Sequence, residues 1–251
     1  GFWSYSWPDD SSRVVSLWQG VTNKLAGATS LTYAKGCDIS GADTTGFASA
    51  RQTATAADLI IVSVGESATM SGEAKSRSQL QLPGVQEQLV KEMVATGKPV
   101  VVLISAGRPL VFNWIADNVP AIVYTWWLGT QAGNAIADVL FGDYNPSGKL
   151  PITFPRNEGQ IPIYYNYLST GRPFKSDTDN TYVTAYTDLP NSPRYVFGYG
   201  LSYTSFQYGA VQLNTNTLSK DQKLQAKITV TNTGKYAGEE VVQLYLQDVV
   251  A

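Results

Sequence analysis

Three short apolar runs that alternate with helical patterns constrain the fold of this chain most strongly. The runs are "DLIIVSVG", "PVVVLIS" and "AIVYTWW", and each is followed by a stretch whose apolar residues recur with a helical period. Strands that are apolar on both faces must be covered on both faces, and strands separated by helices run parallel in one sheet. The pattern predicts an α/β protein, namely a three-layer α/β/α sandwich with a mainly parallel sheet.

Five segments carry the helical pattern. They are "SSRVVSLWQGVTNKLAG", "TGFASARQTATAA", "PGVQEQLVKEMVATGK", "LVFNWIAD" and "GTQAGNAIADVLFGD". In the first of them, the residues on one helical face are Val14, Leu17, Trp18, Val21 and Leu25. Pro near the start and Gly at the end of the third segment are typical helix boundaries. The short segment "LTYAKG" between the first two helices is predicted to be a further strand.

The pattern changes twice along the chain, so we expect three parts. Residues 1–155 form the α/β sandwich domain, incomplete at its N-terminus. Residues 156–205 are rich in Pro, Tyr, Asn and Asp without a sustained period, which is typical of a linker or crossover segment. Residues 206–251 contain "FQYGAVQLN", "LQAKITVTNTG" and "EEVVQLYLQDV", which alternate with period two and predict the first strands of an antiparallel β-sandwich. Three strands cannot complete such a sandwich, so we expect a fragment of a longer polypeptide.

The residue types that are present restrict the chemistry. The chain has no histidine, which excludes a Ser-His-Asp triad, a Cys-His dyad and a His-ligated zinc site within it. Its one cysteine, Cys37, is more typical of a small apolar filler than of a nucleophile. Carboxylates, tyrosines and lysines remain as groups that can transfer protons.

Charge and composition restrict the partners. A net charge of −2 provides no basic surface for nucleic acid, and no apolar run approaches the roughly 18 residues of a membrane span. Charged residues make up 15% of the chain, against about 25% in a typical domain. A surface of hydroxyl, amide and aromatic groups is instead suited to neutral, hydroxylated ligands.

Polar loops follow each apolar run, and the carboxyl ends of parallel strands meet at one edge of a sheet, where ligands bind. The loop after the first run, "GESATMSGEAKSRSQLQ", is the longest of three and the only one with carboxylates, Glu66 and Glu73. The other two are "AGRPL" and "WWLGTQAG". A glutamate in a polar loop is most often only solvated, and neither a phosphate-binding glycine motif nor a nucleophile elbow occurs at these turns. Position alone therefore leaves the roles of both glutamates open.

The N-terminal stretch "GFWSYSW" places Trp3, Tyr5 and Trp7 at alternate positions outside any helical pattern. Two interpretations are equally compatible with that spacing. The rings form a stacking surface for a ligand, or they pack in the core.

A set of spaced motifs resembles a known family. The motifs, in chain order, are "VGESATMSGEAKSR", "LPGVQEQLV", "GKPVVVLISAGRPL", "FGDYNPSGKLPITFP", "QIPIYYNYLSTGRPF" and "YVFGYGLSYTSF". Together they resemble the second domain of glycoside hydrolase family 3, in particular its bacterial β-glucosidase branch. "ITVTNTGKYAGEEVVQLYLQD" is similar to the beginning of the fibronectin type III-like domain that follows in that family.

The resemblance implies a role for individual residues. The family cleaves terminal β-linked sugars with retention of configuration, and its general acid/base is a glutamate on a long loop of the sandwich domain. The matching position here is Glu73, in "SGEAKSR". Glu66 is then a loop anchor, Trp3 and Trp7 flank the leaving-group sugar, and Arg77 and Lys75 orient the acid/base. One departure is Gln131, which stands where many relatives have an acidic residue.

The resemblance also implies what lies outside the chain. The nucleophilic Asp of the family belongs to a preceding (β/α)₈ barrel domain, so no residue here is assigned as nucleophile, and no metal or cofactor is expected. The expected substrate is a β-linked oligosaccharide or glucoside with a terminal, non-reducing β-D-glucosyl residue. The expected location is the bacterial periplasm or the exterior, and a homodimer stays open as the oligomeric state.

Alternatives remain at two levels. Within the family, a β-xylosidase or another exo-glycosidase is open, because the barrel largely sets the choice of sugar, while a member with a histidine acid/base from the barrel is disfavoured by the intact glutamate loop. Outside catalysis, a non-catalytic carbohydrate-binding module would use the same aromatic residues.

Overall fold

The computed structural model describes residues 13–27, 29–168, 171–179 and 181–248. Its centre is a parallel sheet of three strands in the order β1 (Ile60–Gly65), β2 (Val100–Ser105) and β3 (Ala121–Tyr124). Ile60 lies opposite Val100, and Val101 lies opposite Ala121. The three apolar runs of the sequence thus form the sheet that their pattern predicts.

Among the described residues, five α-helices accompany the sheet. They are α1 (Leu17–Leu25), α2 (Phe47–Thr55), α3 (Gln86–Val94), α4 (Asn113–Asn118) and α5 (Ala132–Phe141). α3 packs on β1 and β2 and is flanked by α2 and α4, while α1 packs against α5. The helices are shorter than their sequence patterns, and α1 begins only after Ser16, whose side chain accepts a hydrogen bond from the Gln19 backbone N–H.

The sheet is buried on both faces. Val102 and Ile104 belong to the main hydrophobic core together with residues of α3, and both are fully buried. Leu103 lies between them in sequence, so its side chain projects from the opposite face, and it is only 1% exposed. Burial on both faces confirms the predicted three-layer α/β/α sandwich.

Glycine allows α1 and α5 to approach each other closely. A Cβ atom on Gly20 would lie 2.2 Å from the carbonyl carbon of Gly133, so only glycine fits this helix crossing. Gln131, at the start of α5, donates a hydrogen bond of 3.2 Å to the Arg13 carbonyl and accepts one of 2.7 Å from Asn134. Its described side-chain contacts are therefore with the segment that precedes α1 and with α5 itself.

The segment "LTYAKG", residues 31–36, forms no strand, so that prediction is wrong. None of the described strands pairs with it. It packs on helices instead, since a Cβ atom on Gly36 would lie 2.4 Å from Cδ1 of Leu89 in α3. Cys37 directly after it packs against the hydrophobic core, and burial raises the pKa of its thiol. These contacts agree with the expected filler role.

The chain after residue 155 leaves the sandwich and returns to it. The Phe154 N–H donates to the Tyr195 carbonyl over 2.9 Å, and the Gly198 N–H donates to the Leu150 carbonyl over 2.8 Å. Phe154 is 1% exposed and contacts an aromatic cluster formed by Phe112, Tyr124, Trp126 and Tyr195. The returning segment is thus fixed on the α/β core although its sequence has no regular period.

The last part of the described chain contains two antiparallel strand pairs. β4 (Phe206–Tyr208) pairs with β7 (Val230–Asn232), and β5 (Gln212–Leu213) pairs with β6 (Ala226–Lys227). Residues 239–248, expected to be a further strand, have no strand partner among the described residues. No helix in the described ranges has the length and apolar character needed to cross a membrane.

Candidate active site

The loops after β1, β2 and β3 meet at one edge of the sheet, as the parallel order predicts. The Glu66 N–H donates to the Ser105 carbonyl over 2.9 Å, and the Thr125 N–H donates to the Ile104 carbonyl over 2.8 Å. The hydroxyl groups of Ser105 and Thr125 lie 2.7 Å apart. The polar residues that follow the strands are therefore neighbours in space.

Glu66 lies at the base of this edge and is enclosed by protein. Its side chain is 0% exposed, and its Oε1 atom accepts a hydrogen bond of 2.6 Å from Arg77 Nη1. Arg108 Nε lies 3.0 Å from the same oxygen, as an ion pair without hydrogen-bond alignment. The Gly107 N–H donates to Oε2 over 3.4 Å. With both oxygens engaged and no exposed surface, this carboxylate cannot reach a ligand.

The two arginines connect Glu66 to both halves of the loop formed by residues 66–81. We call residues 66–72, which lead away from β1, the ascending limb, and residues 74–81, which lead back to the domain, the descending limb. Arg77 belongs to the descending limb and also donates to the Gln81 carbonyl over 3.1 Å. Arg108 comes from the loop after β2 and donates from Nη2 to the carbonyl of Met70 on the ascending limb. Further along, the Leu80 N–H donates to Glu158 Oε1 over 2.7 Å. The loop is therefore fixed at its start and at its end.

Glu73 lies at the apex of this loop and is exposed. Its neighbours Gly72 and Ala74 both have positive φ angles, 131° and 56°, so the chain turns sharply on either side of it. Among the described residues its carboxylate has no hydrogen-bond or ion-pair partner. The loop thus presents a carboxylate that has no partner in the described part of the chain, on an anchored base.

The other predicted site residues differ in position and exposure. Lys75 is exposed near the apex, and its ammonium group has no partner within the described part of the chain. The guanidinium of Arg77 is held by Glu66 and Gln81. Trp3 and Trp7 lie outside the described residues. The structure thus places Glu73 and Lys75 together near the apex, with Glu66 and Arg77 below them.

Arg108 was not singled out by the sequence. Its loop, "AGRPL", was expected at this edge, but nothing local indicates that its guanidinium pairs with a carboxylate 42 positions earlier. The Arg108 carbonyl accepts a hydrogen bond from the Tyr124 hydroxyl, which in turn accepts one of 3.3 Å from the Leu110 N–H. Burial raises the pKa of Tyr124, so this hydroxyl stays protonated as a donor.

Gln86, in the first turn of α3, fixes the end of β1. It is 4% exposed, and its Oε1 accepts a hydrogen bond of 2.7 Å from the Gly65 N–H. Its Nε2 lies within hydrogen-bond distance of the carbonyls of Gly65, Ile39 and Pro83, at 2.7, 2.8 and 3.1 Å. One amide therefore satisfies backbone groups from three segments directly beside Glu66.

We expect Gln86→Leu to destabilise the domain by about 2 kcal/mol or more, because each buried group that loses its partner costs about 1–3 kcal/mol. Gln88→Leu is the matched control, since Gln88 is exposed on the same helix and a surface change of this kind alters stability by only about 0.5 kcal/mol. Thermal unfolding of both variants measures the effect. Equal unfolding midpoints would contradict the role of Gln86.

The third loop supplies aromatic rings. Trp126 has a positive φ of 55° and packs against Tyr124 and Phe154, which makes it part of the sheet-end packing. Trp127 is 38% exposed. The described residues contain no group of three or more side chains suited to hold a metal ion.

The fold and the anchored acidic loop define a sandwich domain that presents a carboxylate at the carboxyl edge of its sheet. The model of the "Glycosyl hydrolase family 3 C-terminal domain" matches residues 1–203. The chain therefore belongs to glycosyl hydrolase family 3, which confirms the resemblance noted in its motifs.

Relatives and solved structures agree with this assignment. A periplasmic beta-glucosidase of Salmonella typhimurium is 43% identical over 99% of this chain and 35% of its own length. A beta-xylosidase of Formosa agariphila is 40% identical over 93% of this chain and 31% of its own length. The crystal structure of a beta-glucosidase from Listeria innocua superimposes with a TM-score of 0.88 at 36% identity, covering 96% of this chain and 33% of that one. The chain spans about a third of the length of these relatives.

Proposed function

We propose that this chain is the part of a retaining, exo-acting β-glycosidase that supplies the general acid/base, with Glu73 in that role. The observation that carries the proposal is the position of Glu73, exposed and without a described partner at the apex of an anchored loop. An acid/base must reach the glycosidic oxygen of a substrate that another domain also contacts. An exposed carboxylate on a fixed loop meets that requirement.

The chemistry needs a second carboxylate about 5–5.5 Å from the first, which acts as the nucleophile. In the first step the nucleophile attacks the anomeric carbon while Glu73 donates its proton to the leaving oxygen. In the second step the ionised Glu73 takes a proton from water, and that water displaces the nucleophile. The nucleophile would come from a preceding (β/α)₈ barrel domain of the whole protein.

Glu66 is the competing candidate for the acid. Its side chain is 0% exposed and lies against two guanidinium groups, so no substrate oxygen can approach it. These contacts favour its role as an anchor of the loop. Arg77 shares that role through its bond to Glu66, whereas Lys75 is free to orient Glu73 or to contact the leaving group.

The proposed substrate is a β-linked oligosaccharide or glucoside with a terminal β-D-glucosyl residue. The names of the Salmonella and Listeria proteins support glucose, and the name of the Formosa relative supports the alternative of a β-xylosidase. Trp3 and Trp7 are proposed to flank the leaving-group sugar. A periplasmic or secreted location is proposed on the Salmonella relative, which is named as periplasmic.

The test is hydrolysis of cellobiose, an aryl β-glucoside and an aryl β-xyloside by the full-length protein, with the released sugar followed by NMR. We expect the β-anomer to appear first and the glucoside to have the higher kcat/KM. A preference for the xyloside would select the β-xylosidase alternative, and an α-anomer formed first would contradict retention. Binding without turnover would indicate a carbohydrate-binding module.

A further inference from the structure

Gly107, the second residue after β2, lies directly under the ascending limb of the loop. A Cβ atom built on it would lie 1.9 Å from Ser71 Oγ, 2.8 Å from Ser71 Cβ and 2.5 Å from Trp127 Nε1. Its φ is outside the left-handed region, so the backbone itself does not demand glycine here. Glycine is needed here because a larger side chain would collide with Ser71 and Trp127. Ser71 stands two residues before Glu73.

Arg108 follows immediately and contacts the same limb. Its guanidinium, 16% exposed, contacts Glu66 Oε1 at 3.0 Å and donates to the Met70 carbonyl. The backbone of Arg108 is itself fixed by the Tyr124 hydroxyl. Gly107 and Arg108 therefore contact consecutive residues of the limb, Ser71 and Met70, from one rigid strand end.

We infer that Gly107 and Arg108 are positioning residues for the general acid/base, acting through Met70 and Ser71 to set the height and direction of the loop that carries Glu73. The inference rests on the proposed role of Glu73. Neither residue needs to touch the substrate. Gly107 sets how closely the limb approaches the sheet edge, and Arg108 ties that limb to the buried carboxylate of Glu66.

A displaced Glu73 should slow the hydrolysis only of those substrates whose leaving group needs a proton. A displacement of about 1 Å at a reacting group can cost about 10²-fold in rate. A misplaced Glu73 slows the departure of a poor leaving group, whereas a dinitrophenolate leaves without protonation. A general loss of folding would instead lower the rates of all substrates by the same factor.

The test compares Gly107→Ala with Gly148→Ala in the full-length enzyme. Gly148 is the matched control, because a Cβ atom there meets nothing within 4 Å. For Gly107→Ala we expect kcat/KM to fall about 10- to 100-fold on cellobiose and less than about 3-fold on dinitrophenyl β-glucoside. The dependence of kcat/KM on leaving-group pKa should therefore steepen, while Gly148→Ala keeps the wild-type dependence.

Arg108→Lys provides a second variant and decides the matter if Gly107→Ala does not fold. Lysine keeps the charge opposite Glu66, but its donors all lie on one nitrogen and cannot span Glu66 and Met70 as the separate nitrogens of the guanidinium do, so the same steepening is expected. Equal losses on all substrates in the variants that fold would overturn the inference. Glu73→Gln separates this outcome from a failure of the proposed function. If Glu73→Gln shows strong leaving-group dependence and the positioning variants do not, only the inference fails.

Discussion

Full-length enzyme carrying Glu73→Gln is expected to hydrolyse cellobiose about 10²- to 10⁴-fold more slowly than the wild type, the range that general acid–base catalysis contributes. Glutamine keeps the size of the side chain but has no acidic proton to donate to the glucose leaving group. On dinitrophenyl β-glucoside the first step needs no proton, so the cleavage step itself should be little affected. Steady-state and burst kinetics on the two substrates measure this difference.

Glu92→Gln is the control for this experiment. Glu92 is a partly exposed carboxylate in the last turn of α3, paired with Arg51 at 2.8 Å. Its loss removes one surface charge pair and should leave both activities near the wild-type level. Normal hydrolysis of cellobiose by Glu73→Gln would contradict the assignment of the acid/base.

The second large effect is expected for Glu66→Gln. The substitution leaves the guanidinium groups of Arg77 and Arg108, 19% and 16% exposed, without their buried counter-ion. Breaking a buried ion pair from one side costs about 3–5 kcal/mol. For a domain of this size the unfolding midpoint should fall by roughly 10 °C. Calorimetry of the full-length protein measures the shift, and activity should fall with it because both limbs of the loop lose their anchor.

Glu87→Gln is the matched control for stability. Glu87 forms a partly exposed i,i+4 pair with Lys91 at 2.7 Å, and such pairs on helix surfaces contribute only about 0.3–0.5 kcal/mol. The double variant Glu66→Gln/Arg108→Gln should lose less stability than the two single changes added together, because it removes a charge with its partner. Additive losses would show that Glu66 and Arg108 do not interact.

The sheet could be predicted because its signal is local. The runs ending at Gly65, Ser105 and Tyr124 are apolar on both faces, and that pattern requires a covered, parallel sheet. The "LTYAKG" segment forms no strand, and three of its six residues, Thr32, Tyr33 and Lys35, are exposed. Residues such as Thr and Tyr favour strands, but a strand also needs a neighbour for its backbone groups, and the sequence does not state which neighbours are present.

The candidate site also contains residues that the sequence predicted and residues that it did not. Motif resemblance distinguished Glu73 from Glu66, and the buried contacts of Glu66 agree with the anchoring role that the resemblance gave it. The roles of Arg108 and Gln86 could not be predicted, because their partners are remote in sequence. Arg108 pairs with a residue 42 positions earlier, and Gln86 binds backbone groups 21 and 47 positions away. Interactions between a side chain and a distant backbone leave no local pattern.

We propose that Glu73 is the acid/base partner of a nucleophile in another domain. Azide added to full-length Glu73→Ala during hydrolysis of an aryl β-glucoside tests this role most directly. The glycosyl-enzyme intermediate has the α configuration, and azide can attack it from the face that Glu73 would otherwise serve. We expect a faster turnover and β-glucosyl azide as the product. Formation of α-glucosyl azide would identify Glu73 as the nucleophile, and a rate indifferent to azide would contradict its role as acid/base.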